Sequence, residues 1–403
     1  MAEIRPNSSL AKTSWRIRAA GYTLMLFLSL SMLEGLSYVY LRIVEGYDGT
    51  HLMTYEFDDY KNIRLTPNYK NSRGIYHNAQ GFRRSLDTPM EKDDQTYRIF
   101  IMGGSTAYGL QSLSAYGQKE YSVIRNDETI DHYLEQYLQG KLHHKRIEVI
   151  NAAITSHFSH HHLIYLNQEI LKYHPDMVIF VDGFNDYYPY TKGFDQFRDY
   201  ASQVRAHRFM DEPTVGAWAS YTGWWLFRKS HFIHVAGKTL RPVWLSIRSI
   251  GGRRTVIDVE ASLRNLRVNA ENNFVKIVER NALILKYENV VPVFTLQPEI
   301  VFQQHKVFTK MEKQIFNEMA DHWEVNFVEF KNKARPIVTD YLVRATAGSG
   351  ALFFDLTDVF DGMTEDALTD YCHLTPMGNK WLAEYLGGKI LPIIREQTKL
   401  PAG

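Results

Sequence analysis

Short apolar runs, rich in β-branched and aromatic residues, alternate along much of the chain with segments in which apolar residues have helical spacing. The runs predict strands at residues 98–102, 147–151, 177–182, 290–296 and 352–356. The helical spacing predicts helices at residues 126–142, 163–173 and 272–287, and a terminal helix that begins at residue 376. Because strands and helices alternate, the pattern predicts an α/β fold with a parallel sheet and helices on both of its faces.

One block, at about residues 188–259, interrupts this alternation. No acidic residue occurs between Glu212 and Asp258. The block carries the basic residues Arg228, Lys229, Lys238, Arg241, Arg248, Arg253 and Arg254, interleaved with the aromatic residues Trp218, Tyr221, Trp224, Trp225, Phe227, Phe232 and Trp244. This composition fits a membrane interface, an anionic polymer or a lid over an active site, and it equally fits a helical insertion with a solvated basic face.

A long apolar segment, residues 19–41, follows a polar N-terminus, residues 1–18, whose charged side chains are mainly basic. It is long enough to cross a hydrocarbon core of about 30 Å, and Glu34 is its only charged residue. No small-residue cleavage site follows it, which favours an uncleaved membrane anchor over a removed signal peptide. The basic flank predicts a single-pass cell-membrane protein with a cytoplasmic N-terminus and an extracytoplasmic domain after about residue 45. A buried amphipathic helix is the alternative.

Length and composition limit the number of domains, the kinds of partner and the disulfides that the chain can have. The 403 residues suffice for one large domain or two ordinary ones, and a net charge of +1 gives no bulk field for nucleic acid, which is not predicted as a partner. Cys372 is the only cysteine, so no disulfide forms within the chain. Residues 46–97 contain too many Tyr and Phe for a disordered tether, and we predict that they form an extended lead-in packed on the following domain, residues 98–390.

Polar groups suited to nucleophilic catalysis occur at the ends of several predicted elements. The first strand stops at two glycines and Ser105, at the strand end where open α/β sheets bind ligands. Asp370 and His373 lie just before the terminal helix. A serine becomes nucleophilic when a neutral histidine accepts its proton, and a carboxylate on the other ring nitrogen fixes the tautomer. We therefore predict that Ser105 is a nucleophile, His373 its base and Asp370 the partner of that base.

Charge that develops on a substrate oxygen needs hydrogen-bond donors already in place. Losing one such donor typically costs about 2.7–4 kcal/mol of barrier. The backbone N–H of Ser105 and the side-chain amide of Asn185, which follows the third predicted strand, are candidates. A third donor is expected from the loop after Asn151.

These motifs resemble those of the SGNH (GDSL-type) hydrolase superfamily, which carries them in the same order. The matching stretches are residues 103–106 for the first block, 151–159 for the second, 183–186 for the third and 370–375 for the fifth. The resemblance covers about residues 97–386. The lead-in, which ends in Gly-Phe-Arg at residues 81–83, and the single N-terminal anchor resemble the bacterial membrane-anchored members.

The resemblance implies a flavodoxin-like, three-layer α/β/α domain that needs no metal and no cofactor. It implies an oxyanion hole formed by Ser105, Asn185 and Ser156, the last at a position where the superfamily usually has glycine. Gly104 stands where the name-giving motif has Asp, which leaves the nucleophile intact. Gly104 and His157 are expected to contact substrate.

Other reactive side chains have simpler interpretations. His157, His160, His161 and His162 crowd one loop and raise the alternative of a metal site, but no cysteine and few carboxylates accompany them. Cys372, beside the predicted base, is expected to be a small core residue rather than a rival nucleophile.

The leading hypothesis is a membrane-anchored serine esterase that forms an acyl-enzyme on Ser105. The resemblance implies an ester substrate such as an O-acetyl group on a cell-envelope or exported glycan. One alternative is an O-acetyltransferase that uses the same site, and another is a non-catalytic scaffold within an envelope glycan assembly.

Overall fold

The computed structural model describes residues 8–58, 60–121, 123–188, 222–223, 225–249, 256–322 and 324–398. The chain divides into two compact units, one formed by Met1–Leu52 with Pro213–Gly252 and the other by Met53–Glu212 with Arg253–Gly403. Part of the predicted N-terminus, residues 1–7, lies outside the described residues. So does much of the basic and aromatic block, including Trp218, Tyr221, Trp224, Arg253 and Arg254.

The described elements are seven strands and a set of helices. The strands are β1 (Tyr55–Asp58), β2 (Asn62–Leu65), β3 (Thr96–Gly103), β4 (Arg146–Asn151), β5 (Met177–Asp182), β6 (Val291–Leu296) and β7 (Leu352–Asp355). The α-helices are α1 (Ser8–Tyr40), α2 (Ser105–Tyr108), α3 (Gly117–Glu120), α4 (Ile130–Gln139), α5 (Ser159–Gln168), α6 (Phe184–Tyr187), α7 (His231–Ser249), α8 (Val259–Asn269), α9 (Val275–Tyr287), α10 (Lys310–His322), α11 (Phe327–Ser349) and α12 (Pro376–Gln397).

Five of the strands form one parallel sheet in the order β4-β3-β5-β6-β7. Strand β3, which comes first along the chain, therefore lies inside the sheet, with β4 on one side and β5, β6 and β7 on the other. This is the flavodoxin-like strand order. Right-handed crossovers then place α4 on one face, where it packs against α12, and place α5, α9 and α11 on the opposite face. The predicted α/β fold with a three-layer arrangement is confirmed.

Burial explains why the strands were readable from the sequence. Every residue of β3 is buried, because β4 and β5 pair with its two edges and helices cover its faces. A strand enclosed in this way is apolar on both faces, so it appears as a continuous run rather than as an alternation. All five predicted strands are found, with ends that differ by at most two residues.

Three features of this unit were not predicted. The antiparallel hairpin of β1 and β2 lies within the lead-in, and α10 and α11 lie between β6 and β7. Pro336 lies inside α11, and proline is ordinarily a sign that a helix stops. In addition, α5 begins at Ser159 rather than at residue 163, so His160, His161 and His162 belong to its first turns.

The lead-in is held to the sheet unit by buried side chains. The guanidinium of Arg83 donates to the carbonyl oxygens of Gly109 and Ile124 at 2.7 and 2.5 Å. The ring of Phe82 packs edge-on against Phe100 of β3, with 5.4 Å between the ring centroids. These contacts order the chain immediately before β3.

The other unit contains α1 and α7. Helix α1 continues as a π-helical turn, Leu41–Glu45, and ends at Gly46, whose φ of 70° lies in the left-handed region. The stretch Trp15–Glu45 is long and apolar enough to cross a membrane, and most of its large apolar side chains are exposed. A helix of this kind near an N-terminus fits a membrane anchor or a signal sequence.

Candidate active site

Ser105 stands at the carboxyl end of β3, where the central strand leads directly into α2. The two preceding glycines are required by space, because a Cβ on Gly103 would lie 2.7 Å from the Cβ of Ala107. A Cβ on Gly104 would lie 2.7 Å from Nδ2 of Asn185. Ser105 is the first residue of α2, so its backbone N–H points out of the helix end and has no partner within the helix.

The imidazole of His373 reaches Ser105 from the far end of the unit that contains the sheet. Its Nε2 lies 2.8 Å from Oγ of Ser105, although 268 positions separate the two residues in the sequence. The side chain of His373 is buried, whereas Ser105 is partly exposed. With the imidazole enclosed and the hydroxyl open to solvent, a molecule from solvent can reach Oγ of Ser105.

Asp370 holds the far side of the imidazole. Its Oδ2 lies 2.7 Å from Nδ1 of His373, and its Oδ1 accepts the backbone N–H groups of Cys372 and His373 at 3.0 and 2.8 Å. Burial raises the pKa of this carboxyl, but the charge of His373 and these hydrogen bonds outweigh burial and hold the pKa below its usual value. Asp370 therefore stays ionised, keeps the proton on Nδ1 and leaves Nε2 to accept the serine proton.

Asn185 lies on the neighbouring strand end, in the first turn of α6 after β5. Strands β3 and β5 are adjacent, and the connections that follow β3 and β5 leave in opposite directions, toward β4 and toward β6. This is the switch point at which doubly wound sheets open a crevice. The amide of Asn185 donates to the backbone carbonyl of His157 at 3.1 Å and lies directly beside Gly104. The sheet thus brings an amide donor next to the serine turn.

Ser156 lies in the loop between β4 and α5, and its side chain is exposed. Its φ of 66° lies in the left-handed region, which favours glycine. The turn needs this left-handed backbone conformation, which explains why glycine would suit the position. The backbone N–H is present whether the residue is serine or glycine.

Replacing Ser156 by glycine is expected to raise the melting temperature, because a residue with a Cβ costs about 1–2 kcal/mol in the left-handed region. The greater chain entropy of glycine returns about 0.5–1 kcal/mol of that gain. The measurement is thermal unfolding of the full chain in detergent, with Ser156→Ala as the matched control. A glycine variant less stable than the alanine variant would contradict the strain at this position.

His157 does not present its side chain as predicted. The residue is 2% exposed, its Nε2 lies 3.0 Å from the carbonyl oxygen of Ile63 in β2, and its ring stacks on His161. Burial lowers the pKa of His157 to about 3, so the ring is neutral. This placement argues against the predicted contact of the ring with substrate. What lies beside Asn185 is the backbone carbonyl of His157.

The neighbouring histidines also have structural partners. Nδ1 of His162 lies 3.1 Å from Oδ2 of Asp182, and this carboxylate outweighs burial and raises the pKa of His162. Burial raises the pKa of Asp186 to about 7, and its Oδ1 accepts the backbone N–H of Ser159 at 2.8 Å. These groups tie the start of α5 to the carboxyl end of β5.

Among the described residues, one group has the donor types and spacing to hold a metal ion, and it consists of Asp370, Cys372 and His373. Both ring nitrogens of His373 are already engaged by Asp370 and Ser105. Burial raises the pKa of the Cys372 thiol, which therefore remains protonated and is a poor metal ligand. The donor set fits proton transfer better than metal binding.

A buried ion pair, which no sequence pattern indicated, lies behind the turn that carries Asn185. Nζ of Lys331 in α11 lies 2.5 Å from Oε2 of Glu299, and both side chains are buried. The hydroxyl of Tyr187, in α6, donates to Oε1 of Glu299 at 2.9 Å. The next residue after Glu299, Ile300, donates its N–H to the carbonyl of Tyr371 at 2.9 Å. This pair therefore supports both the Asn185 turn and the loop that carries Asp370 and His373.

Comparisons with known proteins give structural likeness alone. No family model and no curated protein matches the chain. Its structure is similar to an alpha/beta hydrolase enzyme from the metagenome of Lake Arreo, Spain, at 12% identity and a TM-score of 0.36, covering 73% of this chain and 96% of that one. It is also similar to an acetylxylan esterase from Geobacillus stearothermophilus, in a catalytic mutant, at 12% identity and a TM-score of 0.35, covering 73% and 94%.

A lipase/acylhydrolase from Enterococcus faecalis gives 13% identity and a TM-score of 0.32, covering 74% of this chain and 96% of that one. Likeness at this level carries no conclusion about activity.

Proposed function

We propose that the protein is a serine esterase that forms an acyl-enzyme on Ser105. The observation that supports it is the continuous chain of contacts from Asp370 through His373 to Ser105, with distances of 2.7 and 2.8 Å. A histidine that only fills a core needs a hydrogen-bond partner on one ring nitrogen. The ring of His373, in contrast, lies between the ionised carboxylate of Asp370 and the partly exposed hydroxyl of Ser105. Such an alignment serves proton transfer from the hydroxyl.

The reaction proceeds in two steps. As Oγ of Ser105 bonds to the ester carbonyl carbon, its proton passes to Nε2 of His373, and the imidazolium then gives that proton to the departing alcohol oxygen as the carbon–oxygen bond breaks. In the second step His373 takes a proton from the water that attacks the acyl carbon, and the imidazolium gives this proton to Oγ of Ser105 as the bond between that oxygen and the acyl carbon breaks, which releases the acid and the free serine.

The oxyanion of each tetrahedral intermediate is stabilised by donors around the serine turn. The backbone N–H of Ser105 and the amide of Asn185 stand on adjacent strand ends, and the backbone N–H of Ser156 is the third proposed donor. Asn185 has its amide oriented by the His157 carbonyl before substrate binds. Donors held in advance are worth more than mobile ones, because they need no reorganisation as charge develops.

The substrate we propose is an O-acetyl ester on a cell-envelope or exported glycan. We also propose that α1 anchors the protein in the cell membrane and that the catalytic unit lies outside the cell membrane. The anchor rests on the apolar stretch Trp15–Glu45 and on the basic residues that precede it. The substrate class rests on the superfamily resemblance of the motifs. The two activities are separated by giving the protein one activated acetyl ester and measuring both products. An esterase releases acetate, whereas an O-acetyltransferase forms acetylated glycan.

The experiment that tests the serine chemistry is covalent labelling of the full chain with a fluorophosphonate probe. We expect labelling of the wild type and of Ser85→Ala, which alters an exposed serine, and complete loss of labelling in Ser105→Ala. His373→Ala is expected to label far more slowly, because the hydroxyl then lacks its base. An unlabelled wild-type protein would favour the scaffold over the esterase.

A further inference from the structure

The one charged residue of the predicted membrane span, Glu34, is partly exposed and is contacted by the start of helix α7. Its two carboxylate oxygens accept the hydroxyl of Ser230 at 2.7 Å and the backbone N–H groups of His231 and Phe232 at 2.7 and 3.1 Å. Nδ1 of His231 lies 2.6 Å from the same carboxylate. Four donors from one short stretch therefore satisfy a single acid on α1.

The position of Glu34 along α1 sets the depth at which these donors must lie. Glu34 stands about 12 Å before Arg42 along the helix, at a rise of about 1.5 Å per residue. Side chains of a helix lean toward its N-terminus, so with a cytoplasmic N-terminus Glu34 leans away from the outer surface. An acid below the outer surface of a bilayer needs partners supplied by the protein.

Contacts farther along both helices fix the direction of α7. Lys238 is paired with Glu45 at 2.5 Å, so α7 runs from the level of Glu34 at its start toward the outer end of α1. The rings of Tyr38 and His231 make an edge-on contact between these two points, with centroids 5.2 Å apart. Both helices thus run in the same direction.

The residues just before α7 fold back against it. Residues 225–229 are helical, the carbonyl oxygen of Phe227 lies 3.2 Å from Nδ1 of His234, and the two rings are 4.5 Å apart. A Cβ on Gly237 would lie 2.7 Å from the Phe227 ring, so α7 accepts this ring only because it has glycine there. Trp225 and Leu240, in contrast, are exposed.

We propose that residues 225–240 form a helical hairpin that dips into the outer leaflet beside α1, with the bilayer as the partner of its exposed apolar side chains. Amphipathic helices that lie at membrane surfaces bury their apolar face by about 5–10 Å, so a hairpin that reaches the level of Glu34 goes deeper than such a surface helix. Arg228 and Lys229 stand at the tip, and long basic side chains reach headgroup phosphates from that depth. Part of the basic and aromatic block is then a second membrane contact, and the protein is held by two elements rather than by one helix.

The test is the depth of spin labels on the full chain in nanodiscs of mixed zwitterionic and anionic phospholipid. Nitroxides are attached to Trp225→Cys on the hairpin, to Leu28→Cys as the reference within α1, and to Tyr287→Cys as an exposed reference in the sheet unit. The native Cys372 is buried and gives a background measured on the wild type. Collision with oxygen reports lipid, and collision with a water-soluble nickel chelate reports solvent.

We expect the label at position 225 to match that at position 28, with strong relaxation by oxygen and little by nickel. If position 28 reports lipid and position 225 reports solvent like position 287, the hairpin lies outside the bilayer and the inference is wrong. If positions 28 and 225 both report solvent, the proposed anchor fails as well. Labelling of Ser105 is scored separately, so neither result is confused with failure of the proposed esterase.

A second variant tests the role of Glu34. In Glu34→Leu the donors at the start of α7 lose their acceptor, and the label at position 225 is expected to shift toward solvent while the label at position 28 is unchanged. Glu34→Gln keeps one acceptor oxygen and is expected to shift it less. Equal depth in all three proteins would show that Glu34 does not hold the hairpin.

Discussion

Replacing Ser105 or His373 by alanine is expected to lower kcat for an activated acetyl ester by about 10⁶-fold, and replacing both is expected to be hardly worse. The two residues act as one unit: without the imidazole the hydroxyl keeps its proton, and without the hydroxyl the imidazole has no nucleophile to activate. The 2.8 Å contact between them makes this coupling a direct one. Asp370→Asn is expected to lose about 10⁴-fold, because the histidine is then held in the wrong tautomer.

The measurement is steady-state hydrolysis of 4-nitrophenyl acetate by the full chain, with Ser85→Ala and His143→Ala as matched controls at exposed positions. Thermal unfolding of each variant separates loss of chemistry from loss of fold. Additive losses in the double variant, or near-normal turnover in either single variant, would remove Ser105 and His373 from the proposed site.

Replacing Lys331 by methionine is expected to destabilise the protein by about 3–5 kcal/mol, because it leaves the buried carboxylate of Glu299 without its counter-charge. The pair is completely enclosed: Lys331 lies over the rings of Phe184 and Tyr187 at 4.6 and 4.3 Å. The loss should appear in chemical unfolding of the full chain in detergent, monitored by aromatic signals of the sheet unit.

The pH dependence of the same variant gives a second test. Burial raises the pKa of Glu299 above its ordinary value, and Lys331 opposes this rise. Without Lys331 the pKa rises further, so the carboxyl favours the folded state when protonated, and stability falls as pH increases through and above its unfolded value of about 4.3. The double variant Lys331→Met with Glu299→Leu is expected to regain stability and to lose this dependence. A double variant no more stable than the single one would show that the pair is not what Lys331 stabilises.

Several parts of the molecule were set by local pattern. The strands of the sheet are enclosed on both faces, so each is a short apolar run that cannot be mistaken for an amphipathic helix of ordinary length. The serine turn was readable because two glycines interrupt such a run immediately before Ser105. Asp370 and His373 were readable as a pair because three positions separate them, a spacing at which a carboxylate can reach the backbone and ring of the histidine from one turn.

Other parts depend on residues that only folding brings together. Helix α11 contains Pro336, a local sign against the helix that packing in the folded unit overrides. His157 was expected in the pocket because it lies within the second motif, but its ring turns toward β2, one strand of the hairpin in the lead-in. The pairing of Lys331 with Glu299 joins α11 to the loop after β6, and neither residue shows in sequence that it is buried.

The sequence by itself therefore determined the five strands of the parallel sheet and the apolar segment at the N-terminus, and it predicted the set of Ser105, Asp370 and His373, because each depends on neighbours within a few positions. The tertiary structure decided which strand ends meet and where the Asn185 amide lies. It also decided that Lys331 and Tyr187 contact Glu299. Contacts between residues hundreds of positions apart, such as Ser105 with His373, exist only when the parallel sheet places the ends of its strands at one edge.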